Sequence, residues 1–319
     1  PRDHMKSALL AYRVSWHLTK DPTLRVLYIS ATSTLAQKQL GFIKQIFESD
    51  IHRKYWPDHI HPDEGKRSKW TASEIELDHP LRKEENIRDP SIFTAGLTTG
   101  ITGLHFDIAA LDDVVVYENA YTQEGRNKVE TQYSLLASIE GTGAREWVVG
   151  TRYHPKDLYA TMLEMYEPVF EEDGSIYGEE RIYEILEKQV EDSGDGTGEF
   201  LWPRQQRKDG KWFGFDMREL ARKKAKYLDR TQFRAQYYND PNDSSLQSIS
   251  RENFQYMNPK HLTHTGNTWQ YSGKDLKLVA AMDLAFSSSA SRRRDFTAIL
   301  VVGMDTDGYL YVLDLDKFQ

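Results

Sequence analysis

Phe106-Asp107-Ile108-Ala109-Ala110-Leu111-Asp112-Asp113-Val114-Val115-Val116 is the stretch that decides the fold class. A short apolar run that reaches two adjacent carboxylates reads as a strand buried on both faces of a parallel sheet, with acids at its C-terminal edge. Open α/β sheets place their ligands at that edge. Neighbouring carboxylates repel each other, so they are tolerated best where a cation or a reacting proton uses them. The plainer alternative is a strand running into an acidic, solvated turn, and the flanking sequence has to decide between the two.

Upstream, Pro1-Arg2-Asp3-His4-Met5-Lys6-Ser7 leads into Ala8-Leu9-Leu10-Ala11-Tyr12-Arg13-Val14-Ser15-Trp16, a helical stretch. A basic residue and a hydroxyl at a helix N-terminus form an anion and metal site, because free N–H groups and the helix dipole favour phosphate. Lys6-Ser7 resembles the end of a Walker A loop, in which the lysine reaches terminal phosphates and the hydroxyl holds magnesium. Met5 stands where that loop has glycine. Leu24 to Thr32 is a β-rich run into small hydroxyl residues, followed by a helical pattern from Leu35 to Glu48, a second strand-to-helix unit. Residues 51 to 92 are polar and broken by prolines, and read as excursions or short strands around the sheet. Thr94 to Gly103, rich in Gly and Thr, suits a flexible loop near phosphates or a plain connector.

Downstream, a helical segment from Glu124 to Ile139 precedes Trp147-Val148-Val149, expected to be another buried strand, ending in Gly150-Thr151-Arg152. A hydroxyl at that end can sense a phosphate or a polarised water and pass the signal on. From Glu164 to Asp229 the chain is charged and irregular, with acidic Gly-rich turns at 192 to 198 and a basic amphipathic helix around Met217 to Tyr227. Arg218, Arg222, Lys223, Lys224 and Lys226 read first as a solvated helix face and second as a DNA contact. A domain boundary is expected at 242 to 275. Beyond it, Leu278-Val279-Ala280-Ala281-Met282-Asp283-Leu284-Ala285 reads as a buried strand carrying an Asp. A loop, a strand over Ala298 to Gly303, a turn at Asp305-Thr306-Asp307-Gly308 and a strand from Tyr309 follow. A ribonuclease-H-like sheet begins this way, and an acid on its first strand suits two-metal phosphodiester cleavage.

Composition sets the outer bounds. The 319 residues suffice for two domains, and 39% hydrophobic with 28% charged residues is ordinary for a soluble globular chain. No run approaches a membrane span and no signal-peptide pattern is present. Zero cysteines exclude disulfides and thiolate metal sites. A net charge of -8 argues against a uniformly basic nucleic-acid coat and leaves room for a local basic channel. Both ends read as cut, so the chain is taken as a fragment.

In order and spacing, Pro1 to Ser7, Leu111-Asp112-Asp113, Val149-Gly150-Thr151-Arg152-Tyr153-His154 and Met282-Asp283-Leu284-Ala285 with Asp295 resemble the large terminase subunit of tailed bacteriophages. That family is an ATP-driven motor and nuclease that packages DNA. The likeness implies an α/β fold: a P-loop NTPase of the ASCE type, its parallel sheet covered by helices on both faces, then the start of a ribonuclease-H-like nuclease domain. It implies a motor domain over 1–241 with a lid-like region at about 164–241, a linker over 242–275 and a truncated nuclease domain over 276–319. ATP would be held by Arg2, Met5, Lys6, Ser7 and Ala8, and magnesium by Ser7 and Asp112. Arg2 matches a loop arginine that stabilises charge on the terminal phosphate, with Arg152 able to act beside it or in its place. Asp113 stands where the family has Glu as the base, one methylene shorter. Thr151 matches the motif that couples hydrolysis to DNA movement. Asp283 and Asp295 would hold Mg2+ or Mn2+ at the nuclease site, whose later acids would follow Gln319.

The implied partners are double-stranded DNA, the portal protein, the small terminase subunit and a homo-oligomeric ring on the prohead, with no membrane. DNA contacts would concentrate on residues such as Lys128, Arg145 or the 218 to 226 helix. The implied location is the cytoplasm of the infected bacterium, outside the mature virion. Two other readings stand beside this one: a helicase-like, DNA-dependent ATPase without a nuclease, and a non-catalytic nucleotide- or DNA-binding scaffold.

Overall fold

A five-stranded sheet carries the first half of the chain. Its strands are β1 (Val26–Ser30), β2 (Glu74–Ile75), β3 (Ile92–Gly96), β4 (Phe106–Asp112) and β5 (Glu140–Val149), in the order β2-β3-β1-β4-β5. All neighbours are parallel except β2 against β3. The computed structural model describes residues 1–99, 101, 103–241, 255–283 and 297–318, with Asp283 placed by its backbone. The chain divides into two units, Pro1–Gln247 and Ser248–Gln319.

Helices of the first unit are α1 (Lys6–Lys20), α2 (Ser33–Glu48), α3 (Asp50–Tyr55), α4 (Pro80–Glu84), α5 (Tyr117–Ala120), α6 (Gln123–Ser134), α7 (Leu158–Met162), α8 (Met217–Lys224) and α9 (Arg230–Tyr238). Because side chains alternate along a strand, β1 and β4 feed two separate cores. Val26, Tyr28, Ile108 and Ala110 pack with Leu10, Val14 and Leu18 of α1 and with Leu40, Ile43 and Phe47 of α2. Leu27, Ile29, Ala109 and Leu111 pack with Val129 of α6 and with Leu158 and Tyr159 of α7. Helices therefore cover both faces of the sheet, which explains why the centres of β1 and β4, Val26 to Ile29 and Ile108 to Leu111, are apolar. Full burial of Phe47 alone is worth about 1.5–3 kcal/mol. The Thr32 side chain accepts the Leu35 N–H and starts α2, which directs that helix back along β1.

Three expectations are corrected here. Thr94, Ala95 and Gly96, read as the beginning of a loop, lie in β3, an internal strand paired with β1 from Val26↔Ile92 to Ser30↔Gly96. Gly100 and Thr102 of that loop lie outside the described residues. A Cβ on Gly96 would stand 2.7 Å from the Ser33 backbone N, so the glycine there permits close approach of β3 to the start of α2. Trp147 to Val149 belong to a longer strand, β5, which is half-buried because it forms the edge of the sheet. The irregular region contains a hairpin, β6 (Tyr166–Phe170) with β7 (Ile176–Arg181), the short pair β8 (Gln205–Gln206) with β9 (Trp212–Phe213), and a third apolar cluster. Val190, Phe215, Leu220, Phe233, Tyr237 and Tyr238 form that cluster, tying α8 and α9 together.

The second unit is an antiparallel sheet of β10 (Leu262–Thr265), β11 (Thr268–Tyr271), β12 (Lys274–Asp283), β13 (Thr297–Met304) and β14 (Leu310–Phe318), in that order. The segment expected to be a linker, 242–275, thus holds two strands of this sheet. The apolar run read as a buried strand is exposed on both faces of β12, at Leu278 and Met282 on one and at Val279 on the other. Among the described residues no helix is long and apolar enough to cross a membrane.

Candidate functional site

The parallel register sets Ser30, Asp112 and Val149 side by side at the C-terminal ends of β1, β4 and β5. The N-terminus of α1 meets them there. Ser7 Oγ donates to Asp112 Oδ1 at 2.7 Å and Tyr28 OH donates to Asp112 Oδ2 at 3.0 Å. Asp112 is 3% exposed, and burial pushes its carboxyl up to about 6, against the pull of the Ser7 hydrogen bond. A cation delivered to this carboxylate would favour its ionised form.

Lys6 Nζ donates to Thr151 Oγ1 at 3.1 Å and to the Pro1 carbonyl at 3.0 Å. Burial lowers its pKa, while the charge of Asp113 opposes that shift. Met5 caps α1 in the left-handed region, φ 52°, with its side chain 61% exposed. The loop thus holds the backbone shape that a glycine would supply, at the cost carried by any residue with a Cβ. Asp113 is also left-handed, φ 47°, a conformation that short polar side chains tolerate better than most. Its N–H donates to the Val149 carbonyl at 2.9 Å. Burial raises its carboxyl pKa, with Lys6 and Arg2 pulling the other way.

These groups surround one cleft of about 220 Å³. Arg2, Met5, Lys6, Ser7 and Ala8 line it, together with Asp113, Thr151, Tyr153 and Gln236. Its cations come from Arg2 and Lys6, and its carboxylates from Asp113 and from Asp3, the latter paired with Lys223. With the Ser7–Asp112 pair beside it, the cleft can hold a polyanion, a hard cation and a polarised water.

Arg152 does not join this group. Its Nε donates to Asp157 Oδ1 at 2.9 Å, and its Nη2 donates to the His154 and Pro155 carbonyls at 3.3 Å. Asp157 is fully buried and also accepts the N–H groups of Tyr153, His154 and Ala160. Arg152 is therefore committed to shaping its own loop, which removes the expectation that it stands in for Arg2. Gly150 is fixed by contact: a Cβ there would lie 2.0 Å from the hydroxyl of the buried Tyr159, which also accepts the Val115 N–H at 3.4 Å.

Sequence reasoning missed Tyr28, Tyr159 and Gln236. Tyr28 lies on the face of β1 that packs against α1 and α2 and reads as core. Gln236 lies in α9, far along the chain, in a segment marked only by Gln and Tyr content.

Lys223, read as part of a solvated face, pairs with Asp3 of the loop at 2.9 Å. Asp283 ends β12, its backbone opposite Ala298. Asp295 lies outside the described residues.

No protein-family model matches the chain. Over 255 residues, 76% of this chain, it is 28% identical to a protein described as "Terminase, large subunit" from Enterobacteria phage T3. The chain spans 40% of that protein's length. It is thus similar to a large terminase subunit across most of its own sequence.

Proposed function

We propose that this chain carries the ATP-hydrolysing motor of a large terminase subunit, together with the first strands of its nuclease, and that the full-length protein drives double-stranded DNA into a phage prohead. The observation that carries the reading is the 2.7 Å hydrogen bond from Ser7 to Asp112, which joins the start of α1 to the end of β4 beside Lys6 and Asp113. A strand-end acid, a helix-start hydroxyl and a lysine in one cleft at the edge of a parallel sheet suit a P-loop NTPase of the ASCE type.

The residues fit magnesium. Ser7 Oγ and the Asp112 carboxylate are hard oxygen donors already in contact, and Mg2+ takes one or two such ligands and completes its shell with water and phosphate. Bound there, the ion would neutralise charge developing on the phosphate oxygens.

The chain's own residues do the rest. Lys6 would exchange Thr151 Oγ1 for a phosphate oxygen, a stronger charge-assisted bond, and Thr151 would be released as nucleotide enters. Arg2 would hold the terminal phosphoryl oxygens. Asp113 would orient a water for attack on the terminal phosphorus and take its proton, the bond to the leaving ADP oxygen breaking in the same displacement. Its raised pKa makes it a better proton acceptor than an exposed Asp. Freed Thr151 lies on the loop that packs through Gly150 against Tyr159, which gives the site a route to α7.

With a net charge of -8, the DNA contacts must be gathered on one surface, with Lys128, Arg145 and the α8 cations as candidates. A ring on the prohead, the portal protein, the small terminase subunit and a location in the infected cell's cytoplasm follow the same reading. The nuclease would use Asp283 and Asp295 with Mg2+ or Mn2+.

Equilibrium binding of MgATP to the full-length protein tests the site. Lys6→Ala should weaken binding by about tenfold or more, as expected for loss of a charged hydrogen bond. Asp113→Asn should bind like wild type and lose turnover by about a hundredfold or more. Wild-type affinity in Lys6→Ala would overturn the assignment.

A further inference from the structure

Gln236 stands 234 positions from Arg2 in sequence and in direct contact with it in space. On α9, it accepts the Arg2 backbone N–H on its own carbonyl at 2.9 Å and the Arg2 guanidinium on Oε1 at 2.7 Å. The residue is 3% exposed and lines the cleft beside Asp113 and Thr151. Since Arg2 can only donate, the carboxamide orientation is fixed: oxygen faces Arg2, and Nε2 is the remaining donor. That Nε2 is buried and has no hydrogen-bond partner. A buried donor left unmade is expensive, so a ligand oxygen arriving in the cleft would gain from meeting it.

We infer that Gln236 is a nucleotide-reading residue: its Nε2–H donates to an oxygen of the terminal phosphoryl group of a nucleoside triphosphate, alongside Arg2. The inference rests on the nucleotide reading of the cleft. Its consequence is regulatory, because Gln236 belongs to a helix whose Phe233, Tyr237 and Tyr238 form the third apolar cluster with Val190, Phe215 and Leu220. His4 of the loop stacks on Phe215 at 5.3 Å between ring centroids, and its Nδ1–H donates to the Arg2 carbonyl at 2.7 Å. Loop and cluster are thus already joined, and loss of the terminal phosphoryl group would remove one of the bonds that hold α9 to the site.

Gln236→Glu separates the two ends of the carboxamide. The carboxylate still accepts from Arg2, while the donor is replaced by an acceptor that repels phosphate. In the full-length protein this variant should bind the β,γ-imido analogue of ATP about tenfold or more weaker than wild type and bind ADP within about twofold of wild type. Equal affinity for the analogue, or equal weakening toward both nucleotides, would overturn the assignment. A second measurement needs no variant. In wild type, amide hydrogen exchange across 230–238 should slow with the analogue and not with ADP, and identical exchange with both would also overturn it. If wild type binds the analogue in a Lys6-dependent way and Gln236→Glu behaves as wild type, this inference alone fails. If wild type binds no nucleotide, the reading beneath it fails as well.

Discussion

Three left-handed residues, Asp3, Met5 and Asp113, line the same cleft. For Asp113 the conformation turns the chain at the end of β4 so that Asp112 points to Ser7 and its own carboxylate lines the cleft. For Met5 it allows Lys6 to begin α1 with its ammonium on Thr151. Left-handed backbone costs a residue with a Cβ about 1–2 kcal/mol, and the exposed Met5 side chain recovers little by burial. Met5→Gly is therefore expected to raise stability by about 1 kcal/mol, read as a higher denaturant midpoint with unchanged slope. A lower midpoint would mean the methionine makes contacts that outweigh its backbone. At this scale Lys6, Ser7, Asp112 and Thr151 were legible because charge and hydroxyl groups at the ends of periodic segments have few structural uses. Tyr28 and Gln236 were not, since nothing local distinguishes a tyrosine that bonds Asp112, or a glutamine that bonds Arg2, from ordinary core or surface residues.

Among the elements, β1, β4, α1 and α2 follow from short apolar runs and a 3.6-residue spacing. β3 and α9 do not. The Thr and Gly content of β3 favours a loop, and tertiary pairing with β1 overrides it. α9 is set by its packing at Phe233, Tyr237 and Tyr238 and by Asp229, whose side chain accepts the Thr231 N–H.

A pH-sensitive feature sits on α3 and the turn after it. Thr19 spends its single hydrogen on the Ser15 carbonyl at 2.7 Å, so His52 Nε2 must donate to Thr19 Oγ1 at 3.1 Å. His52 packs against His59 at 5.2 Å between centroids, and both leave a buried Nδ1 without a partner. Burial lowers both pKa values, with that of His59 brought to about 4. A depressed histidine binds fewer protons folded than unfolded, so its stabilising effect is full above about pH 6.5 and is lost as pH falls toward 4. Each pH unit in that window should cost up to about 1.4 kcal/mol at His59, with His52 acting in the same direction. Urea midpoints between pH 7 and 4.5 should fall accordingly, and His59→Leu should flatten the slope. An unchanged slope in that variant would place the effect elsewhere.

For the whole molecule, the two units differ in how much of their sequence meaning is realised within the described residues. The first buries its apolar strands and brings the predicted nucleotide residues into one cleft. The second leaves Leu278, Val279 and Met282 exposed on β12, and of its two expected metal acids only Asp283 falls within the described residues, by its backbone. For the nuclease reading, Asp283→Ala in the full-length protein should abolish metal-dependent DNA cleavage and leave ATP hydrolysis intact, whereas retained cleavage would remove Asp283 from that site. The central claim concerns the first unit and is tested most directly by magnesium-dependent ATP hydrolysis in the full-length protein, with and without linear double-stranded DNA. Wild type should turn over ATP faster when DNA is present, and Lys6→Ala should lose turnover by about a hundredfold or more in both conditions. Turnover that is absent in wild type, indifferent to DNA, or equal in the Lys6 variant would contradict the account.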